Sequence, residues 1–156
     1  MKIYILFIIQ ISLIFSTSAI SIEAGKWEFV KADEYCYVGS QATETDLPEN
    51  KKRGDYYILV YKNIGSPDTI VQIEAGYDYK IGEDIIVNID KGEYLFYTTE
   101  DLPGAAWTNE DSKVIFAMKK GLKLIVTGES ARGTTTNDTY TLNGFTAAYN
   151  KLVETC

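Results

Sequence analysis

Few side chains in this sequence have the chemistry that catalysis requires. The chain contains no histidine, which excludes Ser-His-Asp and Cys-His nucleophilic arrangements and the imidazole ligands of most transition-metal sites. Its two cysteines, Cys36 and Cys156, are far apart, so a Cys-X-X-Cys redox pair is absent as well. We therefore predict no catalytic residue, no metal site and no cofactor.

Carboxylates, a serine–lysine dyad or tyrosine remain as possible catalytic groups. Acidic residues are adjacent at three places: Glu83-Asp84, Glu100-Asp101 and Glu110-Asp111. Neighbouring residues on a strand point to opposite faces, so solvated acids in turns are the favoured interpretation. Ser130 lacks the Ser-X-X-Lys spacing of a hydrolase dyad. The glycines on either side of it, Gly128 and Gly133, do not form a phosphate-binding loop, which ends in Gly-Lys-Ser/Thr.

Four residues are candidates for a binding surface. Tyr77 and Tyr79 lie in the run GYDYK, and tyrosine is enriched at interfaces, although half-buried strand tyrosines with solvated hydroxyl groups are the favoured interpretation. Trp107 is either an exposed loop anchor or, preferably, a plug beneath the helix that follows it. Arg132 is expected to pair with a nearby acid such as Asp138, with a ligand contact as the alternative.

Alternating apolar and polar residues predict strands along most of the chain. KWEFV and EYCYVG alternate in this way, and YYILVYKN, TIVQIEAGY, DIIVNID and EYLFYTT follow, the last one after the hairpin signal Asp90-Lys91-Gly92. TTTNDTYTL is a further β-branched strand, whereas TETDLPENKKRGD is a polar loop. Strands at this spacing, joined by short turns, predict a sandwich or a barrel.

Two segments have helical features. NEDSKVIFAMKKG has Asn109 or Asp111 as its N-cap, acids in the first turn, lysines in the last, and Gly121 as its stop. GFTAAYNKLVETC follows a turn at Asn143-Gly144, and its apolar residues form one helical stripe: Phe145, Ala148, Tyr149, Leu152, Val153 and Cys156. We expect this last helix to lay its apolar face on the sheet.

The N-terminus resembles a secretory signal peptide. Lys2 gives a positive start, Ile3 to Phe15 are apolar, and Thr17-Ser18-Ala19 is a small-residue cleavage site. The apolar run is about 13 residues, short of the roughly 20 that a membrane-spanning helix needs, and an uncleaved anchor is the alternative. We predict residues 1–19 as the signal peptide and residues 20–156 as a single domain without stable membrane insertion.

Export bears on the two cysteines. In an oxidising compartment a pair of cysteines favours one disulfide, here Cys36–Cys156, over two free thiols. Such a bridge would tie the start of the domain to the final helix. The net charge of −7, with no basic cluster in the sequence, excludes nucleic acid and anionic membrane surfaces as preferred partners.

The second half of the chain resembles a known family. AWTNEDSKVIFAMKKG and LIVTGESARGTTTNDTYTLNGFTAAYNKLVETC are similar to the C-terminal half of invasion-associated locus B (IalB) proteins. The runs Ser130 to Thr139 and Leu142 to Ala148 carry most of this resemblance, and Trp27 followed by Cys36 also fits. The resemblance covers nearly all of the mature chain, strongly beyond Trp107 and loosely before it.

This resemblance implies an exported protein of Gram-negative envelopes with an immunoglobulin-like β-sandwich fold and a founding role in host-cell invasion. It supplies no catalytic residues to carry over. Other members have further cysteines in mid-chain, whereas this chain has none between Cys36 and Cys156. The terminal bridge is therefore the one disulfide that the chain can form.

We therefore predict a mainly β, immunoglobulin-like sandwich with one short helix in mid-chain and a C-terminal helix on the sheet. Its expected role is a non-enzymatic binding or structural module of the periplasm, the cell surface or the medium. It would recognise an unidentified envelope or host protein, or a glycan, through its loops and tyrosine-bearing strand faces.

Two other functions remain open. One is a carboxylate-dependent hydrolase of envelope glycans, which requires two acids about 5 to 10 Å apart across a cleft. The other is a carrier of a small apolar ligand, which requires an apolar cavity of at least about 300 Å³.

Overall fold

The structure, a computed structural model, describes residues 22–156, so the predicted signal peptide lies outside the described residues. In chain order the elements are β1 (Glu28–Lys31), β2 (Tyr35–Gln41), β3 (Glu44–Thr45), β4 (Tyr57–Asn63), β5 (Ile70–Glu74), β6 (Ile85–Ile89), β7 (Gly92–Phe96), β8 (Ala105–Trp107), α1 (Asp111–Lys120), β9 (Lys123–Glu129), β10 (Thr135–Thr141) and α2 (Phe145–Thr155).

The strands form two five-stranded antiparallel sheets. The first sheet has the order β1-β2-β4-β5-β8 and the second the order β3-β10-β9-β6-β7. The chain passes between the sheets several times, and the segments after β3 and β5 are two of these crossovers. The predicted β-sandwich with a mid-chain helix and a C-terminal helix is confirmed.

Alternation in the central strands builds the core between the sheets. In the first sheet, Val38 of β2 is opposite Val60 of β4; in the second, Val87 of β6 is opposite Val126 of β9. All four side chains are buried, because residues two apart on a strand point to the same face. The remaining residues of these strands face outward, which leaves tyrosines on the outer face of the first sheet.

The hairpin between β6 and β7 forms at the predicted residues. Asp90 has a positive φ of 50°, a conformation that aspartate tolerates better than most residues. Its carboxylate accepts the backbone N–H groups of Leu122 and Lys123 at 3.2 Å. The turn is therefore also fastened to the start of β9.

The predicted N-cap of α1 is wrong. The helix begins at Asp111 with Glu110 as its N-cap, and no side chain caps it. The Asp111 carboxylate instead accepts the backbone N–H of Val71 in β5 at 2.7 Å. The Asp111 side chain therefore makes a tertiary hydrogen bond to β5 and does not cap its own helix. Partial burial raises the pKa of this carboxyl.

Helix α2 lays most of its predicted stripe on the core. Phe145, Ala148 and Leu152 are buried, and the ring of Phe145 makes an edge contact with Trp27, at 4.8 Å between ring centroids. Val153, which is 46% exposed, does not lie on the buried face as predicted. The short helix covers only a narrow strip of the sandwich, and Val153 falls outside it.

The predicted disulfide between Cys36 and Cys156 is confirmed. Cys36 lies in β2 on the inner face of the first sheet and is fully buried, and the two Cα atoms are 6.1 Å apart, within the usual range for a bridge. The bond closes a loop of 120 residues and holds the end of α2 against β2. Of the two helices in residues 22–156, neither combines the length and the apolar character needed to cross a membrane.

We expect the double variant Cys36→Ser/Cys156→Ser to lose about 2–5 kcal/mol of unfolding free energy, since the bridge constrains a long loop in the unfolded chain. Urea unfolding followed by tryptophan fluorescence measures this loss. Reductant should lower the midpoint of the wild type and leave that of the double variant unchanged. Equal midpoints for oxidised and reduced wild type would contradict the prediction.

Candidate functional site

A cleft of about 670 Å³ lies at one end of the sandwich. Three segments border it: the crossover after β3, the crossover after β5, and the β9–β10 hairpin. Its lining is mostly polar and consists of Leu47, Asn50, Lys51, Lys52, Arg53, Gly76, Tyr77, Asp78, Ser130, Ala131, Arg132, Thr134 and Thr136.

Backbone hydrogen bonds hold these three segments together. The N–H of Gly54 in the first crossover donates to the carbonyl of Gly76 in the second at 2.8 Å. The N–H of Ala131 in the hairpin donates to the carbonyl of Asp78, also at 2.8 Å. The walls of the cleft are therefore fixed by main-chain contacts and do not depend on the surface side chains.

Gly76 permits the closest of these approaches. Its φ is +71°, and an added Cβ would overlap the carbonyl oxygen of Gly54. Only glycine combines this backbone conformation with so close a neighbour.

A buried ion pair forms the floor of the cleft. The guanidinium of Arg53 and the carboxylate of Asp138 make a bidentate contact, with Nη1 and Oδ2 2.8 Å apart and Nη2 on Oδ1. The two side chains are only 4% and 5% exposed. Because a buried charge without a partner is strongly destabilising, each group fixes the position of the other.

Arg53 also binds groups beyond Asp138. Its Nη1 donates to the carbonyl of Ala75 at 3.2 Å, and its Nη2 donates to the hydroxyl of Thr45 at 2.9 Å. Its guanidinium carbon lies 3.5 Å from the centroid of the Tyr56 ring, within the range of a cation–π contact. One side chain thus joins both crossovers to β3 and β10.

The expected pairing of Arg132 with Asp138 is wrong, since Asp138 binds Arg53. The alternation in TTTNDTYTL contained a signal for a buried acid, because Asp138 lies between Thr136 and Tyr140 on the inward face of β10. A buried carboxylate requires a cation or several donors. The sequence did not reveal which cation pairs with Asp138, because Arg53 lies in a polar segment that was predicted to be a solvent-exposed loop.

The candidate tyrosines take different positions. Tyr77 is half-buried in the cleft wall; its hydroxyl lies 2.8 Å from that of Thr136 and donates to the carbonyl of Gly128 at 3.3 Å. Burial raises the pKa of Tyr77. Tyr79 is 2% exposed and burial raises its pKa as well, so it is neither the candidate surface residue nor the half-buried tyrosine with a solvated hydroxyl that the sequence favoured.

Arg132 and Trp107 lie on separate surfaces. Arg132 is exposed at the rim of the cleft. Trp107 lies on β8, opposite Gln72 of β5 in the first sheet, and is half-buried outside the hydrophobic core. The predicted plug beneath α1 is therefore wrong. Of the four candidate residues, the cleft brings together Tyr77 and Arg132.

The sequence analysis missed the basic residues of the cleft wall. Lys51, Lys52 and Arg53 come from the polar loop before β4, and the lining contains four basic residues but one acid, Asp78. The Nζ of Lys51 donates to the hydroxyl of Thr134 at 2.7 Å. The described residues contain no group of three or more His, Cys, Asp or Glu side chains suited to a metal ion.

The loop that carries these residues is anchored at its start. Both the backbone N–H and the side-chain amide of Asn137 donate to the Asp46 carboxylate at 2.6 Å. These hydrogen bonds lower the pKa of Asp46, because they favour its charged form. The anchor holds the loop on β10 directly beside Asp138.

A second, shallower hollow of about 570 Å³ lies on the outer face of the first sheet. It is the tyrosine-bearing strand face expected from the sequence, and its lining is Ile22, Tyr35, Tyr37, Gln41, Asp55, Tyr57 and Leu59. The rings of Tyr35 and Tyr37 are stacked, with 6.1 Å between their centroids. This hollow lacks the clustered charges of the cleft.

We expect Asp138→Asn to lose about 3–5 kcal/mol of unfolding free energy, since it leaves the Arg53 charge buried and unpaired. Urea unfolding measures the loss, with Asp78→Asn at the exposed rim as a control that should change stability by less than about 1 kcal/mol. Arg53→Met/Asp138→Leu should recover much of the lost stability. A wild-type midpoint for Asp138→Asn would refute the structural role of the pair.

Gly76→Ala and Gly82→Ala form a matched pair, because both glycines have positive φ, 71° and 84°. An added Cβ at Gly82 meets nothing within 4 Å, so we expect Gly82→Ala to cost about 1–2 kcal/mol for the left-handed backbone alone. Gly76→Ala should cost clearly more, because its Cβ also collides with Gly54. Equal losses in thermal unfolding would show that the close approach is unimportant.

Comparisons with known proteins agree with this architecture. Residues 29–153 match the model of the family described as invasion associated locus B (IalB) protein. A search of curated proteins finds no match. Among solved structures, the chain is similar to the crystal structure of invasion associated protein b from Bartonella henselae, at 18% identity and a TM-score of 0.57, over 84% of this chain and 94% of that one. That similarity supports the sandwich fold, and the family match shows that the chain belongs to the invasion associated locus B (IalB) family.

Proposed function

We propose that this chain is an exported, non-enzymatic binding module of the bacterial cell envelope and that it recognises a partner molecule through the cleft at the end of the sandwich. The observation that carries the proposal is the construction of the cleft. A buried ion pair and main-chain hydrogen bonds fix its walls, while charged side chains such as Lys52 and Arg132 stand exposed at its rim.

Rigid walls favour recognition, because a preformed site orders few groups on binding. The bidentate Arg53–Asp138 contact and the backbone bond from Gly54 to Gly76 hold the floor and one wall in place before any ligand arrives. The ligand would then contact flexible side chains on a fixed frame. This arrangement suits a binding module whose partner meets the protein from solution.

The chemistry of the cleft favours binding over the hydrolase alternative. A two-carboxylate mechanism needs one acid that gives up its proton and a second that acts as base or nucleophile. Asp78 is the one carboxyl group in the lining, and Asp138 beneath it is fully engaged by Arg53. The lining of the cleft therefore lacks the second free carboxyl group that this mechanism requires.

The apolar-carrier alternative fits the size of the cleft but not its lining. A volume of about 670 Å³ lies within the usual range for small-molecule pockets. The walls, however, contain lysine and arginine side chains, and an apolar ligand would cost these groups part of their hydration. A polar partner fits better.

Export is supported by three independent features. The first 19 residues have the composition of a signal peptide, the described chain contains a disulfide, and disulfides persist in oxidising compartments. The family match is the third. The crystallised Bartonella henselae relative is described as invasion associated, and a role at a bacterial surface in contact with other molecules is compatible with the binding module proposed here.

The test is site-specific photo-crosslinking in intact cells that produce the protein. A photoreactive residue at Asn50 or Ala131, both exposed in the cleft, should give a discrete adduct with one partner, because the partner lies within contact distance of these positions. The same residue at Lys91, exposed in the β6–β7 turn, is the matched control. Gel shift and mass spectrometry detect the adduct.

Export is tested separately. N-terminal sequencing of the protein recovered from the extracellular or periplasmic fraction should give a sequence that begins near Ile20.

Adducts of identical pattern and yield at all three positions would mean that the cleft is not the recognition site. Retention of the whole protein in the cytoplasm with an intact N-terminus would overturn the proposal of export.

A further inference from the structure

The uncommitted hydrogen-bonding groups of the cleft are mainly donors. Arg53 lines the cleft, and its Nε is buried without an acceptor among the described residues. The hydroxyl of Ser130 accepts the N–H of Thr134 at 3.1 Å, which leaves its proton for a further acceptor. Because buried donors in proteins are nearly always satisfied, the unpartnered Nε of Arg53 indicates a missing acceptor, and the Ser130 hydroxyl can donate its proton to an acceptor in the cleft.

The charges around the cleft also favour an acceptor with negative charge. The charge of Arg53 is balanced by Asp138, so the remaining charges are those of Lys51, Lys52 and Arg132 against Asp78. Three cations and one carboxylate give a formal charge of +2, in a chain whose net charge is −7. Lys52 and Arg132 make no ion pair within the described part of the chain.

We infer that the cleft is a binding site for a terminal phosphate group, either inorganic phosphate or a phosphate monoester. Such a group carries about −1.5 to −2 charges at pH 7 and three strong acceptor oxygens, which matches both the formal charge of the cleft and its excess of donors. A carboxylate carries one charge and two oxygens, and would leave part of this capacity unused. Lys and Arg side chains are the usual ligands of phosphate in proteins.

The volume of the cleft leaves room for more than the phosphate itself. At about 670 Å³ it also accommodates a sugar-sized group attached to the phosphate, with the half-buried ring of Tyr77 in the wall. The phosphate could come from inorganic phosphate or from a phosphorylated saccharide. The inference rests on the proposed role of the cleft as the binding site.

The test titrates the purified, disulfide-bonded protein by isothermal calorimetry at low ionic strength with inorganic phosphate, glucose 6-phosphate, glucuronate and glucose. We expect both phosphates to bind, glucuronate to bind at least about tenfold more weakly, and glucose not to bind, since the site selects charge and donor number. Binding should weaken as salt is added. Tighter binding of glucose 6-phosphate identifies a phosphorylated saccharide as the source, and equal binding identifies phosphate alone.

Charge reversals locate the site. Lys52→Glu and Arg132→Glu should each weaken phosphate binding about tenfold or more, whereas Lys91→Glu, the same change in the exposed β6–β7 turn, should leave it within about twofold. All three side chains are exposed, so thermal unfolding should show that each variant folds. The inference fails if neither phosphate binds at millimolar concentration, if glucuronate binds as tightly as the phosphates, or if Lys91→Glu weakens binding as much as the two cleft variants.

The two proposals fail separately. A partner crosslinked specifically from Asn50 or Ala131, together with no phosphate binding, would overturn the phosphate site and leave the binding module intact. Phosphate binding that depends on Lys52 and Arg132, together with no cleft-specific adduct in cells, would support the site and overturn the proposed recognition of an envelope partner.

Discussion

The contact between the Arg53 guanidinium and the Asp138 carboxylate is the constraint on which the functional end of this molecule depends. Both groups are buried, and neither can lose the other without a large electrostatic penalty. The pair fastens a long polar crossover to the inner face of β10, and the remaining hydrogen bonds of Arg53 reach β3 and the crossover after β5. The cleft lies where these segments meet, and the ion pair holds its floor while main-chain hydrogen bonds between the segments fix its walls.

The disulfide lies in the first sheet, at the end away from the cleft. Strand β4 begins beside the crossover that carries Arg53, and near its other end Lys62 is opposite Cys36 in the register. A covalent bond to α2 therefore closes one end of the sandwich, and a buried ion pair closes the other. Between them lies a continuous core drawn from both sheets. This arrangement gives a rigid frame that carries a cluster of basic side chains around the cleft.

Rigidity of this kind suits recognition. The chain has no histidine, and the carboxylate beneath the cleft is held by a guanidinium. The cleft exposes hydrogen-bond donors and positive charges to solvent, although the protein as a whole is acidic. Such a surface attracts an anionic ligand electrostatically before contact is made, and membership of the IalB family is compatible with that role.

The sequence by itself determined the mainly β class, the two helices and the partners of the disulfide, because alternation, helical periodicity and cysteine count are local or compositional properties. The choice of a sandwich over a barrel came from the family resemblance. It also pointed to Tyr77 and Arg132, which the cleft brings together. The burial of Tyr79, the place of Trp107 on an edge strand, the Asp111 contact with β5, and the choice of Arg53 as the partner of Asp138 were decided only by the tertiary structure. Arg53 and Asp138 are 85 positions apart, and their contact exists because two crossovers and a hairpin converge, which no local pattern in either segment encodes.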